Sequence, residues 1–136
     1  MKYTLWTALC CCLLTTSCSF FRADSKYLYE ATEAAEEISL PEGSLLEFEL
    51  RSNPTTGYRW VFTSSNEDIL ELDDIFYLPP ENGLAGSGGQ TVCRFYADEE
   101  GCVTVTARYY RPWQEFDPET DREITWQVEV TEEEAE

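Results

Sequence analysis

The amino-acid sequence predicts an all-β fold, an immunoglobulin-like antiparallel β-sandwich of about seven strands. Apolar side chains alternate with polar ones in short stretches from residue 38 to residue 130, which is the period of half-buried strands. Clusters of Gly, Pro and Asn separate these stretches, and no long stretch between them indicates a helix. Short strands and frequent turns within about a hundred residues are typical of such a sandwich.

The predicted strands follow one another closely along the chain. The clearest alternation begins at Leu46, Val103 and Ile124, where every second residue is apolar. In chain order, the predicted strands are residues 38–40, 46–51, 58–62, 69–78, 91–97, 103–109 and 124–130. If successive strands run mainly antiparallel, the connections after the second, fourth and sixth strands lie at the same end of the sandwich.

The sequence outside the predicted sandwich domain, residues 38–131, divides into three parts. Residues 1–17 have a basic start, an apolar run too short to span a bilayer and small residues before Cys18, which predicts a signal peptide of the lipoprotein type. Residues 18–37 are predicted to be an acidic tether, and residues 132–136 an acidic tail.

Cleavage of this signal peptide would make Cys18 the first residue and the site of lipidation. The expected location is then a bacterial membrane, with the domain facing the periplasm or the exterior. The alternative is plain secretion, in which Cys18 is removed or carries no lipid.

Composition restricts the function. The 136 residues have a formal net charge of -18 and include no histidine. Such acidity argues against nucleic acid as a partner and favours a basic partner or simple solubility. Without histidine, a hydrolase lacks its usual general base, so we expect no enzymatic activity. Adjacent acidic residues such as Asp73 and Asp74 point to opposite faces of a strand, which indicates solvated surface and not a metal site. We therefore expect no metal and no cofactor. We also expect the protein to be a monomer.

Two cysteines lie within the predicted sandwich. Cys93 and Cys102 could form a disulfide, because an exported pair is commonly oxidised. By alternation, Cys93 shares the inward phase of Phe95, whereas Cys102 points the other way. The sequence therefore leaves the disulfide open.

Three motifs fall in connections that the strand order places at one end. In the first, Pro54 fixes its own φ and Gly57 can take a positive φ, which makes a rigid turn. The second is rich in glycine and exposes backbone groups, and the third presents a tryptophan beside a proline. The motif residues are Asn53, Pro54, Thr55, Thr56, Gly57 and Tyr58, then Gly86, Ser87, Gly88 and Gly89, then Arg111, Pro112 and Trp113.

These three motifs, in this order, resemble those of the chagasin-type inhibitors of papain-like cysteine peptidases, over about residues 38–130. The resemblance implies an immunoglobulin-like fold and reversible, non-covalent blocking of the active-site cleft of a papain-like peptidase. By motif position, Thr55 would lie at the catalytic Cys–His pair, residues 86–89 along the substrate cleft, and Trp113 on an aromatic surface of the primed side. The two cysteines of the domain and the acidity depart from the family pattern. The alternative function is that of a surface-tethered adhesive or structural sandwich.

Overall fold

The protein forms two four-stranded β-sheets that pack face to face. The structure, a computed structural model, describes residues 28–33, 37–84 and 86–133. The predicted signal peptide and Cys18 lie outside these residues. The strands are β1 (Leu28–Ala31), β2 (Glu37–Pro41), β3 (Leu45–Ser52), β4 (Arg59–Ser64), β5 (Leu70–Leu78), β6 (Gly89–Ala97), β7 (Gly101–Tyr110) and β8 (Arg122–Thr131).

The predicted all-β sandwich is confirmed, and each predicted strand is present as β2 to β8. One sheet has the order β1-β3-β6-β5 and the other the order β2-β8-β7-β4. Two pairs differ from the antiparallel expectation, because β1 runs parallel to β3 and β2 runs parallel to β8. Within the described residues, no helix is long and apolar enough to cross a membrane.

The additional strand, β1, lies inside the stretch that was predicted to be a tether. That prediction is wrong for residues 28–33, because Ala31 is buried and Tyr29 packs against the core. The buried indole of Trp126 also donates a hydrogen bond from Nε1 to the Thr32 carbonyl at 3.0 Å. The only sequence signal for β1 is the brief alternation of Leu28-Tyr29-Glu30-Ala31, which is too short to stand out from an acidic surrounding.

The core consists of the inward-facing residues of both sheets. Phe48 lies at its centre, with its ring centroid 4.4 Å from that of Trp126 and 5.9 Å from that of Phe95 in an edge-on arrangement. The other fully buried large side chains of this core are Leu40, Leu46, Leu50, Leu70, Val105 and Val128. This packing makes the sandwich a rigid support for the connections at its two ends.

The strand directions divide the connections between two ends. The loop end carries the connections after β3, β5 and β7, and the far end carries those after β2, β4 and β6 and the end of β8. At the far end, Gly43 N donates to Ala97 O at 2.8 Å and Asp98 N donates to Ile69 O at 2.9 Å. These bonds join the far-end turns to one another. The three sequence motifs all lie at the loop end, as the strand order predicted.

Cys93 and Cys102 are both free thiols, so the disulfide considered above is not formed. Cys93 lies on β6 in one sheet and is fully buried, whereas Cys102 lies on β7 in the other sheet and is exposed. The opposite phases of the two residues persist in the structure, because Cys102 lies within the regular strand β7, one residue before the inward-facing Val103. Burial, together with the nearby Asp74 carboxylate, raises the pKa of the Cys93 thiol well above its usual range.

Candidate functional site

The first motif folds into a turn that its own side chains hold in shape. Pro54–Thr56 form a short 3-10 turn, and Asn53 caps it. The Asn53 Oδ1 atom accepts hydrogen bonds from the Thr55 backbone N at 3.3 Å and from the Thr55 hydroxyl at 2.6 Å. Gly57 ends the turn with φ 82°, a left-handed conformation that disfavours any other residue. The turn is therefore rigid, and the Thr55 side chain has a fixed direction.

A tyrosine from β7 contacts this turn and helps to hold it in place. The Tyr109 hydroxyl accepts a hydrogen bond from Asn53 N at 3.0 Å. The Tyr109 ring centroid lies 4.8 Å from that of Trp60 and 5.3 Å from that of Tyr58. Trp60 is fixed in turn by a 2.9 Å hydrogen bond from Nε1 to the Arg51 carbonyl. Alternation predicts the inward phase of Tyr109 but not its contact with Asn53, because the hydrogen bond joins residues 56 positions apart.

The second motif meets the first through one direct hydrogen bond. The Asn53 Nδ2 group donates to the Gly86 carbonyl at 3.2 Å, so one asparagine holds two loops. Gly89 lies so close to β5 that an added Cβ would collide with the Leu78 carbonyl and lie 2.7 Å from the Tyr77 hydroxyl. This last glycine of the motif therefore serves packing within the sheet. Gly86 is different, because an added Cβ there would meet no atom within 4 Å.

The third motif lies against the first. Arg111 Nε donates to the Thr56 carbonyl at 3.2 Å, and its guanidinium lies 4.8 Å from the centroid of the Tyr58 ring. The six-membered ring of Trp113 sits over Gly57, where an added Cβ would collide with Cη2 and lie 3.1 Å from Cζ2. Trp113 nevertheless remains 69% exposed. The structure thus brings the three predicted motifs into one braced surface.

This surface can bind but carries no group suited to catalysis. The three motifs contain no carboxylate, thiol or imidazole, and their single ionisable cation, Arg111, is engaged with Thr56 and Tyr58. The exposed features are the Thr55 side chain, backbone groups of the second motif and the Trp113 ring. Leu84, 65% exposed in the connection that leads to Gly86, adds a further apolar side chain that the sequence analysis missed. A lone leucine in a polar loop gives no periodic signal.

The fold and the loops define a β-sandwich protein that presents its three motifs together at one end. The chain belongs to the chagasin family of peptidase inhibitors, since the family described as chagasin family peptidase inhibitor I42 matches residues 39–130. It is 35% identical to chagasin from Trypanosoma cruzi over 81 residues, which are 56% of this chain and 73% of that protein. The resemblance inferred from the motifs is therefore confirmed. The family consists of peptidase inhibitors and not of enzymes, as expected for this chain.

Solved structures give the same fold. The cysteine protease inhibitor EhICP2 from Entamoeba histolytica is similar with a TM-score of 0.65 and 20% identity, over 77% of this chain and 96% of that one. PbICP-C, solved in complex with falcipain-2, is similar with a TM-score of 0.55 and 18% identity, over 76% of this chain and 89% of that one. At these identities the likeness concerns the fold.

Proposed function

We propose that this protein is a reversible, non-covalent inhibitor of papain-like cysteine peptidases that inserts its loop end into the active-site cleft. The observation that carries the proposal is the bracing of the three motifs around an exposed aromatic ring. Asn53 links the first motif to the second, Arg111 links the third to the first, and Trp113 remains 69% exposed. A surface already held in one conformation loses little entropy when it binds.

Each motif has a separate role in this proposal. Thr55 faces the catalytic pair of the peptidase, the backbone of the second motif follows the substrate cleft, and Trp113 provides the apolar anchor. Inhibition is reversible because the motifs contain no group that could form a stable covalent bond with the catalytic thiol. The adhesive alternative is not favoured, because the family consists of peptidase inhibitors.

The direct test is a set of inhibition constants against papain for the purified protein and two variants. Trp113→Ala removes the anchor and should weaken inhibition roughly 30-fold, the equivalent of about 2 kcal/mol for a central aromatic residue. Leu72→Ala is the control, since Leu72 is also an exposed apolar residue, at 42%, but lies on β5 away from the motifs. Circular dichroism confirms folding. A wild-type protein without inhibition at micromolar concentration would exclude this function.

We also propose that the protein is a bacterial lipoprotein, exported with residues 1–17 as a signal peptide and anchored through Cys18. The support is the order of basic residue, apolar run and small residues before the cysteine. Lipidation with more than one acyl chain gives stable membrane binding, whereas a single chain is marginal. Intact mass of membrane-extracted protein should show acylated Cys18 as the first residue; a different mature N-terminus without lipid would contradict it.

A further inference from the structure

The short strand β1 is a firm part of the sandwich, although it lies outside the residues that match the family. Trp126 is fully buried, and the partner of its indole N–H is the Thr32 carbonyl, just after β1. Arg122 also forms an ion pair with Glu33. Releasing residues 28–33 would leave a buried indole N–H without its acceptor, which opposes the release. Residues 28–33 are therefore part of the folded domain, and Leu28 is the first residue that the structure describes.

The direction of β1 determines at which end of the domain Leu28 lies. β1 pairs with β3 in parallel, with Leu28 beside Leu45 and Ala31 beside Phe48. β3 begins at the far end with Leu45 and reaches the loop end at Ser52, where the first motif follows. Leu28 is consequently at the far end. An anchor that precedes Leu28 is thus attached to the far end of the domain, opposite the three motifs.

We infer that the anchored protein stands with its far end toward the bilayer and its three motifs directed into the aqueous phase. This inference rests on the anchor proposed above. It assigns a class of partner, namely peptidases that approach from solution and not those embedded beside the inhibitor in the same membrane. The motifs would then bind such peptidases without removal of the inhibitor from the membrane.

Chain length opposes the inverted orientation. Residues 18–27, even fully extended, span at most about 35 Å. The ten residues of β7 run the length of the sandwich, which corresponds to about 34 Å. If the motifs faced the bilayer, Leu28 would be held at about that height, and nearly every residue of the connection would have to be extended. That restriction costs conformational entropy, whereas the upright orientation leaves the connection free.

The charge of the far end is compatible with a gap between domain and membrane. Its turns and the end of β8 contain many carboxylates and no basic residue among those the structure describes: Glu42, Glu67, Asp68, Asp98, Glu99, Glu100, Glu132 and Glu133. An anionic bilayer repels them, but only within a Debye length of about 8 Å at physiological ionic strength. The connection before β1 is long enough to hold the far end beyond this distance. The connection after β7 at the loop end is not attracted to such a bilayer either, because its four acidic residues, Glu115, Asp117, Glu119 and Asp121, outnumber its one arginine, Arg111.

Energy transfer from two labelled positions to the bilayer tests the orientation. The full-length lipidated protein, with Cys102→Ser to remove the exposed thiol, receives a dye at Glu99→Cys on the far end or at Glu119→Cys on the loop end. Vesicles of phosphatidylethanolamine and phosphatidylglycerol carry an acceptor lipid. We expect at least roughly twofold greater transfer from position 99, since the two ends lie about 34 Å apart. Equal transfer, or greater transfer from position 119, overturns the inference.

Two further measurements separate this inference from the proposals on which it rests. The Cys18→Ser protein should fail to sediment with the vesicles. If the wild-type protein also fails to sediment with them, both the proposed anchor and the inferred orientation are wrong. The vesicle-bound protein should inhibit added papain at the same rate as the detergent-solubilised protein. A markedly slower rate of inhibition by the vesicle-bound protein would indicate motifs that face the bilayer. If the solubilised protein does not inhibit, the inhibitor function fails, but the comparison of the two dyes still decides the orientation.

Discussion

Gly57→Ala tests whether the Trp113 ring must rest on the first motif. Gly57 has φ 82°, and its hydrogen atoms face the six-membered ring of Trp113. An alanine at this position has two unfavourable effects. Its backbone is strained, because left-handed φ costs a residue with a Cβ about 1–2 kcal/mol. Its methyl group also collides with Cη2 of Trp113 and so displaces the exposed ring.

Gly43→Ala separates these two effects. Gly43 has nearly the same conformation, with φ 81°, but lies in a far-end turn where an added Cβ meets no atom within 4 Å. Both variants should therefore lose about 1–2 kcal/mol of unfolding free energy from backbone strain. Only Gly57→Ala should also weaken inhibition. If displacement removes the whole contribution of Trp113, the loss is about 2 kcal/mol, or roughly 30-fold.

The assay combines urea unfolding with inhibition constants for papain at a temperature where both variants are folded. The expected result is similar destabilisation of the two variants, with unchanged inhibition by Gly43→Ala and weakened inhibition by Gly57→Ala. The double variant Gly57→Ala with Trp113→Ala should inhibit no more weakly than Trp113→Ala alone, since the two changes act through one ring. Fully additive losses, or equal inhibition by the two glycine variants, would refute the role assigned to this contact.

Three further predictions concern the support of the loop end and the core. Arg111→Ala should weaken inhibition roughly fivefold, since it removes one hydrogen bond of about 1 kcal/mol that braces the first motif, while Arg59→Ala, with the same change of charge, should leave inhibition unchanged. Tyr109→Phe should lower stability by about 1 kcal/mol and weaken papain inhibition, because the Asn53 N–H loses its acceptor; an unchanged inhibition constant would show that this hydrogen bond does not position the motif. The raised pKa of Cys93 keeps its thiol protonated in the folded state, so the unfolding free energy should fall as pH rises above about 8.5, where the unfolded thiol ionises. Urea unfolding at pH 8 and 9.5 should show that the unfolding free energy of Cys93→Ala falls less with pH than that of the wild-type protein. An equal fall in both proteins would contradict the raised pKa of Cys93.

Local sequence patterns were sufficient to predict most of the fold. β3, β7 and β8 have apolar residues at every second position, and one buried face follows directly from that period. β5 gave a mixed pattern for a physical reason. A register shift between Leu72 and Asp74 breaks the pairing with β6, so that Leu72 and Ile75 pair with the inward-facing Phe95 and Cys93 despite an odd spacing. A bulge of this kind cannot be recognised from alternation, because it is defined by the partner strand.

The site was predictable as a set of motifs but not as a set of contacts. Asn53, Gly57 and Trp113 were identified from turn chemistry and from resemblance, and strand parity placed their motifs at one end. The hydrogen bond from Asn53 to Gly86 and that from Arg111 to Thr56 join residues 33 and 55 positions apart. Such pairings depend on how closely two sheets bring their connections together. No local pattern encodes that distance, and the same limit concealed β1, which is held by Trp126 from the other end of the chain.

The bracing supports the anchor role proposed for Trp113, although this side chain is 69% exposed. A free tryptophan in a mobile loop would lose rotamer and backbone freedom on binding, which opposes the gain from its apolar surface. Here the ring already rests on Gly57, whose turn is held by Asn53 and by Arg111 from the third motif itself. Most of that ordering is thus completed during folding, when the core of the sandwich stabilises it. The requirement for glycine at position 57 follows from the same arrangement, because any Cβ would separate the anchor from its support.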